Sequence, residues 1–409
     1  MLRNLLRSAS LRAALALGFG GLAFTLGNLI FARELPAAEY GLLSLVLGIL
    51  SVGMLAAPLG LDLVVARRGL QLGLGLRRSV LIASASTGII TAAIAAKVYE
   101  VSRVVLVAIA VTTAASGAIQ AGVAHFQGQR RFGIAAWLLQ IPNISLVPIA
   151  LITLLLGLIT AQTVSVLIAF ASLIGLAGTW YLVTAHQTPL QELAPVKRMW
   201  PEALPLLGIT MASAVFMQLE RLMLVPAVGV RGLALFGVVA ALVGSPFRMI
   251  QAAVLFTLIP GMRAAHDVNE RRRLLGREVV IVTAAVLGGS LVIGLLAPPL
   301  AQWFLAGRYN IGEALLAAAI VSGWLKVCSA FATSVAVALG DERDLRHVSL
   351  TAWVSIGIAV AGGFLAAAWG LTGVLYGISA GWLVRTLAAA WIATPHLLHG
   401  RGDLPYPIR

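Results

Sequence analysis

Four basic residues, Arg221, Arg248, Lys326 and Arg385, stand inside stretches that are otherwise apolar and long enough to cross a membrane. A cation in hydrocarbon costs roughly 2.5–3.5 kcal/mol on insertion scales, so such residues face a wet interior, a partner or a ligand. Arginine suits oxyanions because its planar fork donates two hydrogen bonds at once, whereas lysine acts as a point charge. At about 1.5 Å of rise per residue, Lys326 falls near the middle of its stretch. Arg248 and Arg385 fall towards the end that meets arginine-rich loops, and Arg221 towards the other end. The chemistry these residues predict is the binding of an anionic passenger at membrane depth. Each has a plainer reading beside it. Arg221 could snorkel to the interface, and Arg385 could donate to backbone carbonyls within its own bundle. Two acids are candidates for a coupling ion, H+ or Na+: Asp62 and Glu220. Asp62 could instead pair with Arg67 or Arg68. Glu220 and Arg221 are adjacent, so on a helix they point to different faces and pair poorly.

The elements that position these residues follow from composition. The 409 residues are 60% hydrophobic and 11% charged, with a mean hydropathy of +0.98. A span needs about 20 apolar residues, and about twelve such runs recur: 12–33, 40–65, 79–97, 103–124, 133–157, 161–184, 202–224, 232–259, 278–298, 312–339, 348–368 and 371–394. They are too long and too evenly apolar for barrel strands, so they predict helices. The class is an all-α integral membrane protein. Arg3 and Arg7 precede a first run longer than a signal-peptide core, which predicts an uncleaved helix. Prolines at 58, 142, 148, 205 and 246 fall inside runs and predict kinks. The one cysteine, Cys328, excludes a disulfide framework within the chain.

The net charge of +14 invites a nucleic-acid reading, but its placement answers otherwise. Of 29 Lys and Arg, four lie in the runs and five in the loops of one side (Arg33, Lys97, Arg103, Arg231, Arg308), which leaves 20 for the other. This positive-inside bias predicts that both termini are cytoplasmic. Membrane lipids are the partners it implies, and nucleic acid is not one.

The segment 185–201, with Pro189, Pro195, Pro201, Lys197 and Arg198, reads as a cytoplasmic linker. It divides the chain into lobes of six runs, 1–184 and 202–394, followed by a tail at 395–409. The halves resemble each other. Gly128-Gln129-Arg130-Arg131 recurs as Gly340-Asp341-Glu342-Arg343, and Gly157-Leu158 recurs as Gly370-Leu371 at an offset that differs by a single position. Six runs per half is an even number. The halves should therefore be related by an axis along the membrane normal, with the passenger between them near the midplane.

Several short motifs carry a resemblance. Glu39-Tyr40-Gly41-Leu42 opens the second run, Gly60-Leu61 precedes Arg67-Arg68, Glu220-Arg221-Leu222-Met223-Leu224 closes the seventh run, and Trp369-Gly370-Leu371-Thr372-Gly373 joins the last two. In these the chain resembles the polysaccharide-export flippases of the multidrug/oligosaccharidyl-lipid/polysaccharide (MOP) superfamily, although it has Glu220 where that family more often has aspartate. The resemblance implies two six-helix lobes around a central cavity, a MATE-like fold that opens alternately to either side. It implies a polyprenyl-diphosphate-linked oligosaccharide, or a related anionic glycolipid, as substrate. Arg221, Arg248, Lys326 and Arg385 would then form a staggered lining for the diphosphate. Trp324, beside Lys326, would contact sugar. The location implied is the bacterial inner membrane.

Two rival readings have distinct requirements. A MATE-type drug or metabolite antiporter would favour cations and want an acidic cavity. An O-antigen polymerase or ligase would want a large periplasmic loop with paired carboxylates, and the loops on that side are short. No cofactor is implied: the chain has no GxxxxGK[ST] phosphate loop, and its six histidines lack metal-ligand spacing. The reading is therefore of a transporter rather than an enzyme.

Overall fold

The computed structural model describes residues 9–129, 131–186, 199–265 and 267–398. Among them every regular element is helical. Long apolar runs satisfy their own backbone only as helices, and local chemistry sets their ends. Ser102, Thr160, Asp267 and Asp341 each accept a backbone N–H in the first turn of the helix they precede, and Asp341 forms a capping box with Asp344. The chain divides into two compact units, Met1–Val225 and Pro226–Arg409.

The first unit holds α1 (Ala9–Glu34), α2 (Ala37–Ala56), α3 (Leu61–Arg68), α4 (Leu74–Val98), α5 (Arg103–Gly128), α6 (Phe132–Leu139), α7 (Ile141–Leu156), α8 (Ala161–Ala185) and the first part of α9 (Trp200–Val239). Helix α5 is its hub and packs on α2, α3, α4, α6 and α8. Its middle reads Thr112-Thr113-Ala114-Ala115-Ser116-Gly117-Ala118, and small residues of this kind let membrane helices approach closely. A Cβ on Gly117 would lie 2.2 Å from the Cβ of Ala57.

The second unit takes the rest of α9, a π-helical segment (Ala240–Gly244), α10 (Ser245–Ala264), α11 (Val268–Phe304), α12 (Glu313–Leu339), α13 (Glu342–Leu365), a 3-10 turn (Ala367–Trp369) and α14 (Gly370–Leu398). Here α12 and α14 pack along each other, with α10 against α12 and α13 against α14. Val254, Leu258, Met262, Ala330, Val335 and Ala393 form part of the core near one end. Helix α11 is the least buried of the long apolar helices.

Nine helical stretches among the described residues are long and apolar enough to cross a membrane, or ten if the bent pair α6–α7 is one span. The expected runs differ from this in ways with local causes. Runs 202–224 and 232–259 lie in one continuous helical stretch, Trp200–Ala264. A backbone break at Gly229, whose φ of 77 and ψ of 173 degrees are far from helical, separates them in place of a loop. Glycine adopts such a conformation at no steric cost. Run 133–157 is bent by 42° where α6 meets α7. Run 40–65 stops at Ala56, so Pro58 sits in a turn and does not kink a span. That turn needs Gly60, whose φ is +79° and where a Cβ would lie 2.2 Å from the carbonyl oxygen of Ala203. Most of the expected linker (187–198) and of the tail (399–409) lies outside the described residues.

Candidate functional site

In the first unit Arg221 is 3% exposed and Glu220 5%, so neither reaches out to an interface, and the snorkelling reading of Arg221 does not hold. Arg221 is housed by three elements. Its guanidinium carbon lies 5.6 Å from the ring centre of Phe24 on α1. At that separation the contact is a cation–π interaction. Its aliphatic stem lies against Gly48 on α2, where a Cβ would stand 3.0 Å from the Arg221 Cβ. From its own helix, Gln218 Oε1 accepts a long hydrogen bond from Nη1 at 3.4 Å. One residue on, the Leu222 carbonyl accepts from the Tyr99 hydroxyl at 2.9 Å, tying α9 to the end of α4.

Glu39, the first residue of the Glu39-Tyr40-Gly41 motif, accepts the backbone N–H of Ala161 at 2.7 Å. A carboxylate at the N-terminus of α8 is favoured both by the unsatisfied N–H groups and by the helix dipole. That motif therefore has a structural task, which is to lock α2 to α8.

Asp62 lies beyond the end of the span Ala37–Ala56, in the first turn of α3. The expected alternative, a pair with Arg67 or Arg68, is not what forms. Both arginines pair with Glu202, Arg67 Nη1 at 3.3 Å from Oε1 and Arg68 Nη2 on Oε2. One carboxylate oxygen of Asp62, Oδ1, is buried without a hydrogen-bond partner. Burial pushes the Asp62 carboxyl up to about 6, within reach of near-neutral proton exchange.

In the second unit the structure brings Lys326 and Arg385 to one ring. Lys326 Nζ on α12 lies 5.9 Å from the centre of Trp382, and Arg385 Cζ on α14 lies 5.6 Å from it. Trp382 is 1% exposed. Desolvated cation–π contacts reach about 2 kcal/mol.

Arg248 is held by its own helix end. Its Nη2 donates to the Ala240 carbonyl at 3.2 Å and lies 3.3 Å from Ser245 Oγ. Ala240 opens the π segment, a feature often found at functional positions. Phe247, next to Arg248, packs on Gly323, where a Cβ would be 2.3 Å from the Phe247 ring; this seats α10 one turn from Lys326. Trp324 donates its indole N–H to Ser290 Oγ on α11 at 2.8 Å.

Trp382 is the residue that sequence reasoning missed. The signal was present, because Trp382 and Arg385 are three apart and so share a helix face. Among the described residues no three His, Cys, Asp or Glu side chains gather to hold a metal.

This all-α architecture is the general fold of MOP-superfamily transporters of the MATE type. Three solved structures illustrate the likeness. A MATE-family multidrug resistance transporter in its inward-facing conformation matches at a TM-score of 0.64 and 16% identity, over 94% of this chain and 98% of that one. The lipid II flippase MurJ, inward closed, matches at 0.63 and 12%, over 94% and 90%. A MOP-superfamily transporter from Pyrococcus furiosus, described by the reverse polarity of its binding pocket, matches at 0.58 and 16%, over 96% and 97%. No family model and no curated protein sequence matches the chain.

Proposed function

We propose that the chain is an alternating-access exporter of a bacterial inner membrane, with twelve spans in two six-helix lobes, both termini cytoplasmic, and an anionic cargo. The observation that carries this reading is the polarity of its buried charge. Arg221, Arg248, Lys326 and Arg385 lie within the long apolar helices, and two of them meet on Trp382. The acids of the described long helices sit in end turns, apart from Glu220 and, three turns into α11, Glu278. Twelve spans follow if α1 counts as one, α6–α7 as one, and Trp200–Ala264 as two separated at Gly229.

The cargo best matched to these cations and to the sequence resemblance is a polyprenyl-diphosphate-linked oligosaccharide or related glycolipid. Arg221, Arg248, Lys326 and Arg385 bind its diphosphate in this reading. Asp62 and Glu220 exchange the coupling H+ or Na+. The likeness to MurJ, a lipid II flippase, supports a lipid-linked cargo.

A second reading has its own support: several of the structural neighbours are MATE transporters, among them a multidrug resistance transporter in its inward-facing and outward-facing conformations. By fold likeness alone the comparisons lean towards a drug or metabolite antiporter. A site lined by cations suits an anionic metabolite in that case, because a cationic drug would meet like charge.

Deleting the gene separates the readings. Build-up of a lipid-linked glycan in the cytoplasmic leaflet supports the flippase; sensitivity to small drugs with unchanged glycolipids supports the antiporter.

A further inference from the structure

The second unit carries a groove of about 340 Å³ between α11, α12 and α14, separate from the Lys326–Trp382–Arg385 cluster in its chemistry. Its walls are apolar, among them Leu275, Val282, Val286, Phe331 and Leu397. Leu275, Val279, Val282 and Val286 recur every three or four residues, so they form one stripe of α11. Continued inwards, the stripe reaches Ser290, which accepts from Trp324 and closes that end of the groove. Continued outwards, it reaches Arg271 and Arg272. Arg272 Nε donates to the carbonyl oxygen of Leu397, itself a groove residue, at 2.8 Å, which fixes a guanidinium at the mouth. Arg271 is 5% exposed, and its Nε is buried without a hydrogen-bond partner. Arg273 and Arg277 stand exposed alongside.

Since all three helices are long and apolar enough to span, acyl chains are the medium around the groove. A hydrocarbon slot with arginines at its open end, and a closed hydrogen bond at its blind end, has the charge layout of one lipid molecule. The geometry points to this groove as a binding site for an anionic glycerophospholipid of the arginine-rich leaflet, with one acyl chain between α11, α12 and α14 and the phosphate on Arg271 and Arg272. Trp324 belongs to this site as the floor that the chain end meets. The inference is independent of the cargo proposed above, since the groove serves a resident lipid whichever solute is moved.

Trp324 makes the site measurable. The full-length protein is reconstituted in phosphatidylcholine vesicles doped with phosphatidylglycerol brominated in mid-chain, or with phosphatidylcholine brominated identically. The fluorescence of Trp324, taken as the difference between the protein and Trp324→Phe, is followed against the fraction of brominated lipid. Half-quenching should need about fivefold less brominated phosphatidylglycerol than phosphatidylcholine, the preference that one basic side chain near a surface gives an anionic lipid. Arg272→Gln should shrink that preference, and Ala390→Phe, which fills the groove from an exposed wall position without adding an indole, should remove Trp324 quenching by either lipid. Equal quenching by the two lipids overturns the anionic assignment. Quenching that survives Ala390→Phe unchanged overturns the groove itself.

Discussion

Gly48 and Arg221 share one volume: the Cβ that any other residue would place at 48 comes within 3.0 Å of the Arg221 Cβ and 3.3 Å of its Cδ. A buried arginine at this point of the first unit thus depends on the absence of a side chain on α2. Replacing Gly48 with Val should displace the Arg221 stem and destabilise the protein by about 1–3 kcal/mol, as overpacking does. Gly178→Val on α8, with open space around it, is the matched control and should change stability by less than about 1 kcal/mol. Thermal unfolding in detergent compares the two, and equal effects would deny Gly48 this role.

Asp62 gives a pH signature. Its carboxyl is held at about 6 by burial, against an ordinary 3.8. Between those values the folded state keeps a proton that the unfolded chain has lost. Stability is therefore fullest below about pH 4, falls as pH rises through 6, and is flat above, a change of roughly 3 kcal/mol. Asp62→Asn should remove that slope and be the more stable form at pH 7. An unchanged slope in the variant would assign the titration elsewhere.

The Glu202 clasp on Arg67 and Arg68 is solvent-facing on the arginine side, with Arg67 and Arg68 side chains 68% and 44% exposed. Glu202→Gln should cost less than about 1 kcal/mol, as exposed ion pairs generally do. A loss of several kcal/mol on chemical unfolding would mean that the clasp holds more of the first unit together than its geometry implies.

The helices were legible in the sequence because long apolar runs have one way to satisfy their backbone in lipid. The breaks were less so. Gly229 lies in an apolar stretch with nothing to mark it from the glycines that stay helical, and only its backbone angles reveal the break between two runs. Pro58 read as a kink because apolar residues continue on both sides of it. The turn there is set by Gly60 pressing on Ala203, a contact between residues far apart in the chain. Long-range partners were unreadable for the same reason: Arg67 and Arg68 have Asp62 nearby in sequence, yet they close on Glu202. Glu39 was visible as part of a family-like motif, but its hydrogen bond to Ala161 gave that motif a structural reason. The four span cations were conspicuous from the start. That Lys326 and Arg385 meet on Trp382 required the packing of α12 on α14, although the Trp382–Arg385 spacing hinted at half of it.

The cationic reading of the transport site is tested most directly by charge. The protein and its Lys326→Ala/Arg248→Ala double variant, reconstituted at equal density, are assayed for movement of a polyprenyl-diphosphate-linked oligosaccharide across the vesicle bilayer. The account predicts transport by the protein and background rates for the double variant with its fold intact. Undiminished movement of the lipid-linked sugar by the double variant would contradict it.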